Sequence, residues 1–239
     1  MYVRTFERAL QEKCEYRGVQ PYWDWTLDSE DLSQSPIWDP VHGFGGNGDL
    51  NTPVTLYEGH CVLSGPFANT TRAWKALSHG QFHDVALEPH CLSRGFFNAG
   101  TLTEAEKKKS RNLHNRLSPD DVEKTLEQPD YMSFFKEFET GAHNAIPSLI
   151  RGDWLVFSAP NDPVFFLHHT QVDRLWWLWQ QRDAKTRTKE YHGPKEDFRH
   201  HAESAGSELS DVLPMGGLVE DGKVGDFMDT KNGILCYQY

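Results

Sequence analysis

Apolar residues recur at helical spacing in two stretches, and start signals mark three more. Tyr2, Phe6, Ala9 and Leu10 fall on one face and predict an amphipathic helix over residues 2–13. Asp130 can cap a segment in which Tyr131, Phe134, Phe135, Phe138 and Ala142 share a buried face; that helix delivers His143. Asn161, Asp162 and Pro163 are a strong helix start, and the pattern after them runs to about Gln181. Between these lie a capping box at Thr103 and Glu106, opening a polar helix to about Leu117, and a second start at Ser118-Pro119. Both of these helices are expected to be exposed. From Thr26 to Asn98 neither period holds, and Gly, Pro, Asn and Asp predict a long irregular region with its clearest turn cluster at Gly43 to Asp49. Beyond Gln181 the chain turns polar.

Length and composition fit one domain over residues 1–239, with no linker dividing it. Aromatics make up 13% and total hydrophobics only 38%, which predicts an aromatic-rich core wrapped in polar loops. A net charge of −11 argues against a nucleic-acid partner, and the one basic run, Lys107 to Lys109, reads as a solvated helix face. No apolar run approaches the roughly 18 residues a membrane span needs, and the N-terminus lacks the apolar core of a signal peptide, so the chain as given reads as soluble and untargeted. Cys14, Cys61, Cys91 and Cys236 form no C-x-x-C pair; two disulfides and buried reduced thiols both remain open. Asn69-Thr70-Thr71 is a glycosylation sequon, meaningful only if the chain is secreted. The Gly43–Asp49 glycines lack the strand-then-helix setting of a phosphate loop.

Histidine placement narrows the chemistry. His169 and Asp173 lie four residues apart on one predicted helix face, with Trp176 a turn further on, and His143 sits on the preceding helix. His79 and His83 form a rival pair, but Gly80 between them makes a shared helical face doubtful. His60, His90, His114, His192, His200 and His201 have no partner at useful spacing and read as surface residues.

DPVFFLHHTQVDRLWWLW, with the upstream His143-Asn144, resembles the second copper motif of the type 3 copper proteins, the family of tyrosinases, catechol oxidases and hemocyanins. YVRTFERAL and Pro21 to Trp25 resemble the segments that follow the first copper motif, and all three first-copper histidines would lie before Met1. GHCVLSGPF and PHCLSRGF resemble segments of ascomycete tyrosinase-like enzymes, where such cysteines are often oxidised, and Tyr237-Gln238-Tyr239 resembles the Y-x-Y that ends the catalytic domain. The resemblance implies a mainly α fold, part of a tyrosinase-like four-helix-bundle core, with long irregular loops and few short strands. It also implies copper as cofactor, in a pair of ions each held by three histidines. The second copper's ligands map onto His143, position 147 and His169, with His168 beside them; position 147 is proline, so one site is incomplete. Proline offers no donor, and it is expected to end or kink the helix and push Ile146 towards extended geometry. Glu139 and Asn144 match residues that hold a catalytic water, and Asp173 is expected to orient His169 from behind.

The implied reaction is O2-dependent oxidation of a phenolic small molecule, in pigment or secondary-metabolite formation, with weak or absent dicopper activity for this chain alone. Two other readings stand beside it. One is a copper-poor homologue that binds phenolic compounds or a protein; the other is a mononuclear metal enzyme using His143, His169 and Glu139. Oligomeric state is not legible.

Overall fold

The structure is a computed structural model and describes residues 1–76, 85–97, 102–195 and 205–239. It is mainly helical with few short strands, as expected. The described chain divides into two compact units, one of residues 23–123 and 138–168, the other of residues 1–22, 124–137 and 169–239.

In the first unit the long irregular region is ordered by short polar caps. Asp24, Asp31 and Ser35 each accept the backbone N–H two residues on and start single 3-10 turns that bury Trp25, Leu32 and Trp38. Four short strands lie within the stretch read as irregular: β1 (His60–Cys61) pairs antiparallel with β4 (Ser93–Arg94), and β2 (Thr71–Ala76) with β3 (Val85–Cys91). Their sequences hide the period of two because β2 buries only Ala76 and a register shift between Arg72 and Trp74 breaks the alternation. The pairings bring Cys61 and Cys91 into a disulfide, while Cys14 and Cys236 are exposed free thiols. One bridge forms, not two.

α2 (Glu104–Asn115) carries the expected Thr103/Glu106 capping box. α3 (Pro119–Leu126) starts at the expected proline but is not wholly exposed, since Val122, Thr125 and Leu126 are buried on one side. α5 (Asn144–Ile150) buries Ile146, Leu149 and Ile150 and runs straight through Pro147. The expected helix end at proline is therefore corrected. The break comes earlier, in a π turn over Glu139–His143 where Gly141 (φ −96, ψ −113) leaves helical geometry. That break makes Pro147 the fourth residue of a new helix, where the missing N–H forfeits a single hydrogen bond, the one that would reach the His143 carbonyl.

Asp153, fully buried just after α5, gathers four donors: His90 Nε2 at 3.0 Å, Ser93 N at 3.0 Å, Ser158 Oγ at 3.2 Å and Asn161 Nδ2 at 3.0 Å. His90 is thus no bland surface residue, nor is His114, which bonds Ser110 O through Nδ1 and accepts Leu32 N at Nε2. Burial alone would lower the His90 pKa, but the hydrogen bond and charge of Asp153, with the Glu88 carbonyl, outweigh it and raise it above the ordinary 6.5. A raised folded pKa contributes stability that is fully present below the unfolded value and is lost as pH rises through the folded one. The stability difference between the native chain and a His90→Gln variant is accordingly expected to be largest below about pH 6 and to shrink above 6.5. Denaturant titrations at several pH values read it directly.

The second unit holds α1 (Tyr2–Cys14) and most of α4 (Tyr131–Phe138) and α6 (Val164–Gln181). Asp130 caps α4 through Ser133 N at 2.9 Å, as its position predicted. Trp179 of α6 is fully buried against Phe134 with ring centroids 5.0 Å apart; its indole N–H donates to Gln128 O at 2.9 Å, and Arg187 lies 4.3 Å over its ring.

Candidate metal centre

The start of α6 is set by a buried ionic hub. Asp162 accepts Val164 N at 3.0 Å, and its two oxygens take Arg94 Nε at 2.6 Å and Nη2 at 3.0 Å, with both side chains fully buried. The third Arg94 nitrogen donates to the carbonyls of Phe44, Gly45 and Gly46 at 3.3, 2.5 and 3.0 Å, and the guanidinium lies 4.7 Å over Trp38. The glycine cluster is therefore a carbonyl cradle for an arginine. Gly45, at φ +78, has no room for a Cβ beside Ser64 O, so its backbone can turn there only as glycine. Arg94 was not a candidate from sequence, because nothing local to it marks a partner 68 residues away.

On the first turns of α6, His168 is fully buried. Its ring stacks on His143 (5.5 Å, 21°) and meets Trp154 edge-on at 5.6 Å, and its Nδ1 accepts the indole N–H of Trp25 at 3.2 Å. Indole nitrogen can only donate, so Nδ1 must be bare and a neutral His168 carries its proton on Nε2. A ring nitrogen of His143 and one of His168 come within 4.8 Å, yet His168 cannot offer a lone pair from Nε2 without breaking the Trp25 bond. Of the adjacent pair, it is His168 and not His169 that Trp25 engages. The imidazole 15N shifts of His168 are expected to show Nε2 protonated and Nδ1 not, and a Trp25→Phe variant is expected to lose that preference.

Glu139 and His143 face each other inside the π turn, with Glu139 Oε2 2.9 Å from His143 Nδ1. A carboxylate against Nδ1 turns Nε2 outward as the nitrogen for a metal, the arrangement in which an acidic partner orients a ligand histidine. Asn144 follows as the first residue of α5, half-buried. Pro147, one turn after His143, presents no donor.

Asp173 lies one turn beyond His169 on α6. Its Oδ2 accepts the hydroxyls of Tyr237 at 2.5 Å and Tyr239 at 2.8 Å, and Tyr239 also reaches Thr170 O at 3.1 Å. Burial first, then the Asp173 charge, pushes both phenols well above their usual pKa. The Y-x-Y thus clasps the helix that carries His169. Asp130, Glu190 and His192 form another group of possible donors, but Asp130 caps α4 and Glu190 accepts Tyr131 N at 2.8 Å. His79, His83, His200 and His201 lie outside the described residues.

A copper held by three histidines does not fit this donor set. The motif supplies His143 and His169, the third position is Pro147, and Trp25 holds His168 as a donor of hydrogen bonds.

Residues 1–182 match the family model described as the common central domain of tyrosinase. The chain is 56% identical over its whole length to tyrosinase-like protein phomQ1 of Diaporthe leptostromiformis, covering 61% of that protein, and 38% identical over 98% of its length to tyrosinase ustQ of Aspergillus flavus, covering 60%. It spans about three fifths of the length of these curated relatives. A solved polyphenol oxidase variant from Thermothelomyces thermophila superposes with a TM-score of 0.77 at 28% identity, over 100% of this chain and 70% of that one.

Proposed function

Because the chain belongs to the tyrosinase family, copper-dependent oxidases that act on phenols with O2, we propose that it is the second-copper part of a phenol or catechol oxidase lineage whose copper site has lost a ligand. The observation that carries this is Pro147 at the position of the third histidine, with His168 unable to substitute while Trp25 donates to it. The protein of which this chain is all or part would take a phenolic small molecule, in pigment or secondary-metabolite formation. Copper in this family supplies the O2 chemistry; the chain's own residues would orient His143 through Glu139 and hold the His169 helix through Asp173. Glu139, engaged by His143, serves better as an orienting partner than as the third ligand of a mononuclear site.

A second reading is favoured by one specific feature. Trp154 is buried with its indole N–H unpaired among the described residues, and its ring borders His168 in an aromatic cage with Trp25 and His143. An unpaired buried donor is costly, and a phenol oxygen would satisfy it. This supports binding of phenols without redox turnover.

Oxygen uptake on a catechol and on a monophenol, with phenol binding followed by calorimetry, separates the two. No catechol-dependent uptake at any copper loading is expected of the 239-residue chain. Sustained uptake with two coppers per chain would overturn the proposal; phenol binding by metal-free protein that weakens on Trp154→Phe would favour the second reading.

A further inference from the structure

Asn69-Thr70-Thr71 is the chain's one Asn-x-Ser/Thr triplet with a middle residue other than proline, and the structure places it in a formed turn. Ala68 N donates to Gly65 O at 3.1 Å, and Thr70 donates to Phe67 O from both its N at 3.4 Å and its Oγ1 at 2.5 Å. Asn69 stands exposed at φ 57, the left-handed region that asparagine tolerates better than most residues. Among the described residues nothing hydrogen-bonds its side-chain amide. Thr71, whose hydroxyl completes the triplet, is exposed at the first position of β2.

The independent observation lies directly across the strand pair. Thr71 is opposite Cys91, and Cys91 is bridged to Cys61. Disulfides form and persist where thiols are kept oxidised, chiefly along the secretory route, and asparagine glycosylation belongs to secreted proteins. The bridge and the open triplet thus point to the same compartment.

We propose that Asn69 is an N-glycosylation site and that this domain matures in the oxidising secretory lumen. The Asn69 amide nitrogen would attack the anomeric carbon of a lipid diphosphate-linked oligosaccharide, brought by the cell's own transferase. One C–N bond forms and the sugar–diphosphate C–O bond breaks; the lipid diphosphate leaves and the amide gives up one proton. No oxidant or reductant is needed. The proposal is independent of the metal-site reading.

The test is made on the protein isolated from the cells that produce it. Treatment with peptide N-glycosidase is expected to increase its mobility on a gel and to leave aspartate at position 69 in the mapped peptide, with Cys61 and Cys91 recovered as one linked peptide without reduction. Asn69→Gln and Thr71→Ala, expressed in the same cells, are each expected to abolish the shift, and Thr71→Ser to retain it; the threonine variants guard against a folding effect at the strained turn. An unmodified Asn69 in the endogenous protein overturns the proposal, as does a shift that survives Asn69→Gln.

Discussion

Replacing Arg94 with alanine is expected to lower the unfolding free energy by about 3–5 kcal/mol, as removing one partner of a buried ion pair does. The cost arises because the Asp162 carboxylate stays fully buried after its bidentate cation is gone, and because three carbonyls at Phe44, Gly45 and Gly46 lose their donor. Lysine should rescue little, since a single ammonium cannot grip both carboxylate oxygens and reach the loop. Arg94→Met combined with Asp162→Asn is expected to recover a large part of the loss, because no buried charge then stands alone. Denaturant unfolding followed by tryptophan fluorescence and far-UV circular dichroism measures it. A loss under about 1 kcal/mol for Arg94→Ala would mean that water reaches the pair as it does at a surface.

The second large effect concerns position 147. Pro147→His is expected to raise copper affinity at least tenfold over Pro147→Ala, given that even an outer partner of a metal ligand is worth roughly 10–100-fold. Alanine is the necessary reference. Both substitutions remove the proline ring and relax the backbone in the same way, so their difference isolates the added imidazole. Because Pro147 is the fourth residue of α5, both variants regain the hydrogen bond to the His143 carbonyl, and any gain in stability, up to the roughly 3 kcal/mol that relieving a helix proline gives, is shared by the two. Equal copper affinity for the two would mean that position 147 does not face the metal position and that the motif has been aligned wrongly.

The helices were legible because their signals are local. Asp162-Pro163 started α6, and Thr103 with Glu106 capped α2, where expected. The hub behind them was not. Arg94 and Asp162 are 68 residues apart, and Trp25 and His168 are 143 apart, so no window of periodicity could connect them. Pro147 carries no donor by its chemistry alone, but its effect on the backbone was misplaced by assuming an unbroken helix from Tyr131. Gly141 had already ended that helix, which a lone glycine in an apolar pattern signals only weakly. The β2–β3 pair was hidden by a register shift that spoils alternation. Aspartates told least of all: Asp153 and Asp173 look alike in sequence, yet one is a buried four-donor hub and the other is clasped by two tyrosines.

The most direct measurement is X-ray absorption on the copper-loaded chain together with its copper content after dialysis. The expected result is less than one copper per chain, with no more than two histidine nitrogens around it. Three histidine nitrogens on a tightly held copper would contradict the loss of a ligand at position 147.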